Sequence, residues 1–357
     1  MVNNYWNVIG LMSGTSLDGV DIIYTQISRL DNMYKFEIIN AETIPYSKEW
    51  EDRLRNAFFA STIAIEKLNI EYGIYLGDCV NQFIKKNQLN TIDFIASHGH
   101  TIFHKPDEGY TLQIGDGQTI VDKTGLKVIC DFRTQDVQLG GQGAPLVPIG
   151  DKLFFSKYDY CLNLGGFANI SFQKENERIA FDICPVNIVL NHYVKQLGFS
   201  FDEGGEIARL GKVNELLLND LNSLSFYSAT VPKSLGFEFV KEVVFPIIDK
   251  KNLKIEDILK TFVVHIVIQI TACLTNNKKS KVLITGGGAF NKFLINELNN
   301  LSKNEIVIPS NEIVDYKEAL IFALLGVLRS ENKVNCLRSV TGAMNDHSSG
   351  KILTKIV

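Results

Sequence analysis

Residues 10–21, GLMSGTSLDGVD, place three glycines, several hydroxyl side chains and two carboxylates between apolar runs. Gly14 and Gly19 have the glycine spacing of a P-loop, but Val20 and Asp21 stand where that loop needs Lys and then Ser or Thr, so the P-loop reading fails. A strand-turn-strand remains. The backbone N–H groups of residues 13–16 can form a concave nest for phosphate oxygens, with the Thr15 and Ser16 hydroxyls as further donors. Asp18 and Asp21 repel phosphate, so Asp18 is assigned to Mg2+ through water, since that ion takes oxygen ligands and keeps several waters. The competing reading is a plain hairpin turn.

Gly165 and Gly166, following Asn163, repeat such a turn, and two glycine hairpins can hold the phosphates of one nucleotide from two sides. Gly286, Gly287 and Gly288 sit at a strand end ahead of a helix. Asn291 takes the place of the last glycine of G-x-G-x-x-G, so the cluster reads as an adenosine-facing loop beside a helix N-terminus, or as a tight turn alone.

Two frames must carry these turns. A chain of 357 residues is long enough for two lobes with a cleft between them. Its 45% hydrophobic and 21% charged content is that of a soluble globular protein, and a net charge of −4 argues against a nucleic-acid partner. Six cysteines without a C-x-x-C pair read as reduced side chains of a cytoplasmic protein. The apolar run TFVVHIVIQITACL contains His265 and Gln269 and reads as a buried helix rather than a membrane span.

Apolar runs at 5–12, 20–27 and 36–43 predict three strands, followed by helical periodicity over 48–88. The pattern recurs from Tyr158, where YDYCLNLGGFANISF, RIAFDIC and NIVLNHYVKQLG give three strands and a helix. This recurrence predicts a duplicated α/β protein with mixed sheets. One lobe is expected over 1–134, completed by the tail 331–357, and the other over 135–330 with helical insertions. The glycine- and proline-rich stretch 134–148 is expected as the hinge between them.

The segments GLMSGTSLDGVD, SHGHTIFHKP, TLQIGDGQTI, DFRTQDVQLGGQGAPLVP, LNLGGFANIS, PKSLGFEF, ITGGGAFN, DYKEALIFALLG and SVTGA, in this order from Val8 to Ala343, resemble the anhydro-N-acetylmuramic acid kinase family. The resemblance implies the two-lobed, duplicated actin-like ATPase and sugar-kinase fold, ribonuclease H-like in each lobe, with a central cleft. It implies ATP and Mg2+ as cofactors, a small anhydro-sugar as substrate, and a homodimer, with no nucleic-acid or membrane partner. The implied reaction opens the 1,6-anhydro bridge at C1 with water while O6 takes the γ-phosphoryl group, giving N-acetylmuramic acid 6-phosphate for peptidoglycan recycling.

In the family an Asp in the strand-end motif F-D-T-G-P-G-N takes the proton from water. The matching stretch, Phe181-Asp182-Ile183-Cys184-Pro185-Val186-Asn187, implies Asp182 as the base and Asn187 as a substrate contact. An Asp capping the following helix is the plainer reading of Asp182. Ile183, Cys184 and Val186 replace Thr and two glycines, which keeps open a kinase for a different anhydro- or amino sugar, and a nucleotide-binding regulator with little turnover. The resemblance further assigns Arg133 to a bidentate grip on the sugar's lactyl carboxylate. Gln142, Ala144 and Pro145 are assigned to the sugar pocket, Glu318 to the nucleotide surroundings with Asp315 capping its helix, and Lys233 to a phosphate or to solvent. His98, His100 and His104 fall within seven residues without an acidic or thiol ligand at metal spacing, so sugar contact, His98 above all, or plain structure is expected rather than zinc. In the family the position of His100 is commonly Gln.

Overall fold

The computed structural model describes residues 4–14, 16–31, 33–274 and 280–355. Contacts divide the chain into two units, one of Met1–Phe154 with Tyr316–Val357 and the other of Phe155–Asp315.

In the first unit β1 (Asn4–Ser13), β2 (Gly19–Leu30) and β3 (Met33–Pro45) form an antiparallel meander. β4 (Phe94–Lys105) pairs parallel with the free side of β1, and β5 (Tyr110–Ile114) pairs antiparallel with β4. β6 (Val128–Cys130) runs parallel to β4 and is flanked by the antiparallel C-terminal strand Lys351–Leu353. Val20, Ile22, Ile23 and Ile27 are all fully buried, because the sheet is covered on both faces and its strands read as apolar runs rather than alternating ones. One cover is the helix Thr62–Asn87, capped by Ser61, which buries Tyr72, Leu76, Val80 and Phe83. The single helix expected over 48–88 is two, Lys48–Asn56 and Thr62–Asn87, because the chain turns extended at Ala60 (φ −81°, ψ 155°) before Ser61. Residues 319–325 of the helix Asn311–Ser330 are also buried, and a Cβ at Gly10 would stand 2.3 Å from the Ala319 carbonyl oxygen. Only glycine lets that helix lie directly on β1.

The second unit repeats the scheme. β7 (Tyr160–Leu164), β8 (Phe167–Lys174) and β9 (Glu177–Pro185) form the meander, β10 (Lys281–Thr285) runs parallel to β7, and β11 (Glu305–Val307) runs parallel to β10. The orders β3-β2-β1-β4-β6 and β9-β8-β7-β10-β11 match strand for strand. This is the duplicated α/β fold with mixed sheets that the recurrence predicts. The run TFVVHIVIQITACL, except for its last residue Leu274, lies in the helix Ile255–Cys273, where buried His265 meets Asn222 Oδ1 (2.7 Å) and Tyr227 Oη (2.8 Å). No helix among the described residues is long and apolar enough to cross a membrane.

The stretch 134–148 differs from its expectation as an irregular hinge. It begins with a short helix, Thr134–Gln138, and lies wholly in the first unit, as do residues 316–330. Its anchor is Asp136, fully buried, whose carboxylate accepts from Gly143 N and Thr341 Oγ1, both at 2.7 Å. A buried carboxylate with both oxygens bonded fixes a loop that glycine content alone suggests is free.

Candidate active site

The β1–β2 turn holds its polar groups together at the surface. Ser16 Oγ donates to Asp18 Oδ1 (2.7 Å), and at the base of β2 Thr43 Oγ1 donates to Asp21 Oδ1 (2.6 Å). Asp18 is exposed; Thr15 lies outside the described residues. Beneath the turn runs a buried chain of bonds that the sequence did not reveal: Tyr72 Oη to Tyr46 Oη (2.5 Å), Tyr46 Oη to Ser13 Oγ (2.6 Å), Ser13 Oγ to His100 Nδ1 (2.8 Å). Burial pushes His100 down to about 4 and Tyr46 up to about 12, so both are neutral near pH 7. Packing demands Gly19, where a Cβ would lie 2.4 Å from the Ile44 carbonyl oxygen, but not Gly14, whose nearest neighbour would be Ser16 Oγ at 3.5 Å.

Elsewhere in the first unit Arg133 Nε donates to His98 Nε2 (3.0 Å) and Nη1 donates to the Gly143 carbonyl (2.7 Å). Because an arginine can only donate, the His98 proton belongs on Nδ1, facing the Gly99 carbonyl at 2.9 Å. Burial, reinforced by the Arg133 charge, holds His98 well below the usual imidazole range. Burial raises the Glu318 carboxyl, opposed by the charges of Arg133 and Lys317, and Glu318 in turn supports the half-buried Arg133 cation. Glu318 is therefore the charge partner of the arginine assigned to the sugar. Its helix starts at Asn311, so Asp315 lies inside that helix rather than at its cap. Gln142 N donates to the Thr341 carbonyl (2.7 Å) while the Gln142 and Pro145 side chains are exposed and Ala144 is half-buried. A cavity of about 300 Å³ opens beside His98, lined also by Ser97, Gln113, Asp116 and Thr134. The three clustered histidines have separate partners, His104 Nδ1 meeting Thr111 Oγ1 at 3.2 Å.

In the second unit a β-bulge between Ala168 and Asn169 sets the candidate base: Cys184 pairs with Ala168 and Asp182 with Asn169, leaving Ile183 as the extra residue. Such bulges re-aim side chains. Asp182 Oδ2 accepts from Leu235 N (2.8 Å) and Asp182 N donates to the Lys233 carbonyl (2.9 Å). Burial raises the Asp182 carboxyl, partly offset by the Leu235 bond, which makes the carboxylate a better proton acceptor. It does not cap the helix Asn187–Val194, whose cap position is Val186 without a side-chain bond. Lys233 Nζ donates to the Phe226 (2.8 Å) and Tyr227 (3.2 Å) carbonyls, which gives it a structural role.

The other predicted pieces of this unit converge on the same end of the sheet. Val186 N donates to the Gly166 carbonyl (2.8 Å), Asn187 N to the Gly165 carbonyl (3.3 Å), and Asn187 Nδ2 to the Leu164 carbonyl (3.1 Å). Gly286 has φ 81° and a Cβ there would stand 2.5 Å from Asn163 Oδ1; at Gly288 it would stand 2.7 Å from Leu164 Cβ. The three turns thus form one packed group, with Gly287 opening a short 3-10 turn, Gly287–Phe290.

A family model described as anhydro-N-acetylmuramic acid kinase matches residues 6–355. The chain belongs to the anhydro-N-acetylmuramic acid kinase family. The kinase of that name from Haemophilus influenzae is 33% identical over 97% of each chain. Those from Caldanaerobacter subterraneus (34%, over 97% of this chain and 96% of the other) and Zymomonas mobilis (35%, over 96% and 98%) agree. Among solved structures, the activator of 2-hydroxyisocaproyl-CoA dehydratase from Clostridium difficile with bound ADPNP aligns at TM-score 0.44 and 14% identity over 91% of this chain and 97% of that one, too remote to add to the family assignment. As a member of the anhydro-N-acetylmuramic acid kinase family, the protein is an ATP-dependent sugar kinase.

Proposed function

We propose that the protein hydrolyses the 1,6-anhydro ring of anhydro-N-acetylmuramic acid and phosphorylates O6, acting as a cytoplasmic homodimer in peptidoglycan recycling. The observation that carries this reading is Asp182, a strand-end carboxylate re-aimed by a bulge and made more basic by burial. Asp182 takes a proton from water as the water oxygen bonds to C1; the C1–O6 bond breaks, O6 bonds to the γ-phosphorus, and ADP leaves, with one proton released overall. Residues 14–18 hold the phosphates. The exposed Asp18 carboxylate, with Asp21 nearby in sequence, is an oxygen-only donor set that suits Mg2+ held through water, and such an ion neutralises phosphate charge when bound. Arg133, kept charged beside Glu318, takes the lactyl carboxylate, and His98 a sugar hydroxyl.

The replacements at Ile183, Cys184 and Val186 weigh little against this substrate. Those side chains are 2%, 0% and 0% exposed and belong to the hydrophobic core, so the departure from the family motif is absorbed by packing. Sugar-dependent ADP release with 1,6-anhydro-N-acetylmuramic acid, levoglucosan and N-acetylmuramic acid tests the reading. Turnover is expected with the first sugar above the others. Faster turnover of levoglucosan points to a different sugar, and tight ATP binding with no turnover on any of them points to a regulator.

A further inference from the structure

Asp136, Cys336 and His347 meet inside the first unit, 0%, 2% and 6% exposed. Their ligand atoms lie within 4.8 Å of one another, the one group of three His, Cys, Asp or Glu side chains so placed among the described residues. The backbone presets two of them. Cys336 and His347 form an isolated antiparallel bridge, Cys336 N donating to the His347 carbonyl (3.1 Å) and His347 N to the Cys336 carbonyl (3.2 Å), so their side chains leave on one face. Asp136 is fixed by its bonds from Gly143 N and Thr341 Oγ1.

The imidazole is the second observation. His347 Nδ1 faces the Asn345 carbonyl at 3.1 Å, which places the ring proton there and leaves Nε2 a lone pair. Nε2 is buried without a hydrogen-bond partner and points at Asp136 Oδ1 from 3.5 Å. Two acceptors facing each other in a dry site call for a cation between them. A nitrogen and an oxygen on one tetrahedral zinc, at bonds of about 2.0–2.2 Å, stand roughly 3.3–3.5 Å apart.

We propose that Asp136, Cys336 and His347 bind one zinc ion, a structural site independent of the sugar reaction, which ties the C-terminal segment to the loop holding Arg133. Binding displaces the Cys336 thiol proton. One carboxylate and one thiolate then balance the dication, leaving a neutral buried site. The Ser349 hydroxyl, buried and next to Cys336, or a water completes four ligands.

The test uses the full chain, stripped with chelator and titrated with cobalt, which reports thiolate ligation as a near-ultraviolet charge-transfer band. The expected result is one cobalt per chain with that band, displaced by one equivalent of zinc. The band is lost in Cys336→Ser and His347→Asn and kept in Cys79→Ser, which is buried elsewhere in the unit. Zinc is expected to raise the melting temperature of the parent protein and not of Cys336→Ser. A parent protein that shows no thiolate band overturns the proposal without recourse to any variant. A band that survives Cys336→Ser overturns it equally.

Discussion

The two sheets share one strand order, yet their first hairpins are built differently. The turn over 14–18 carries Ser16 and Asp18 at the surface and rests on the buried His100–Ser13–Tyr46–Tyr72 chain. The Gly165–Gly166 turn carries no polar side chain and is fixed by its own carbonyls, which accept from Val186 and Asn187. The third strands diverge in step. Both end in a proline paired with the first residue of the second strand, Gly19 with Pro45 and Phe167 with Pro185. Two residues further in, the first sheet pairs Asp21 with Thr43, whereas the bulge in the second pairs Asn169 with Asp182. Duplication kept the frame, and one extra residue in β9, Ile183, brings the acid Asp182 to the third-strand position where the first unit has Thr43. Because side chains alternate along a strand, that single insertion suffices to re-aim a side chain.

The sharpest way to break this division is Asp182→Asn. General-base loss lowers kcat by about 10²–10⁴-fold. ATP affinity, which the proposed function assigns to the glycine turns rather than to Asp182, is expected to stay within about twofold, a ratio separated by steady-state kinetics and direct nucleotide titration. Unchanged kcat removes Asp182 from the mechanism.

Next come the glycines, which fall into two kinds. Gly286→Ala meets both a left-handed φ of 81° and Asn163 Oδ1 at 2.5 Å, so a loss of about 2–4 kcal/mol in denaturant unfolding is expected. Gly14→Ala and Gly165→Ala have nothing closer than 3.5 Å and 3.4 Å respectively, so their melting temperatures should hold. A rise of roughly tenfold in KM for ATP at unchanged stability marks them as positions kept small for a ligand. Loss of stability at Gly14 instead makes that hairpin structural.

A smaller and more selective effect is expected from Arg133→Lys, which keeps the charge beside Glu318 but loses the planar fork and the Nε bond to His98. A charge-assisted bond of about 1.5–3 kcal/mol corresponds to roughly 10–100-fold in KM for the carboxylate-bearing sugar, against little change for levoglucosan. Equal effects on both sugars remove the carboxylate grip.

The repeated β-β-β-α pattern was legible because buried strands write apolar runs between turn residues, and the glycine clusters because a tight turn restricts residue type. What stayed hidden depends on distance along the chain. Ser13 and His100 are 87 residues apart and Asp136 and Thr341 are 205 apart, so nothing local announces either bond. The stretch 134–148 looked free because its glycines were visible and the burial of Asp136 was not. Glu318 was assigned to the nucleotide by motif, while the charge that shares its surroundings, Arg133, comes from a strand end far away in sequence. The bulge at Ala168–Asn169 was likewise invisible, because register is a property of two strands.

The smallest effect tests the buried chain under the first hairpin through pH. His100 has a folded pKa of about 4, below its ordinary 6.5, because burial penalises the charged ring. The fold therefore favours the neutral form. Its contribution is complete above pH 6.5 and is lost as pH falls from 6.5 toward 4, at up to about 1.4 kcal/mol per pH unit. Buried His265 of the second unit is lowered in the same direction, to about 3, so the acid loss is shared. His100→Gln keeps a polar group near Ser13 and removes one titration, and the stability lost between pH 7.5 and pH 5 should shrink by about 2 kcal/mol while that due to His265 persists. Thermal melts at the two pH values decide it: a variant as acid-sensitive as the parent means that His100 is already solvated, and that the first hairpin, like the second, is held by its backbone alone.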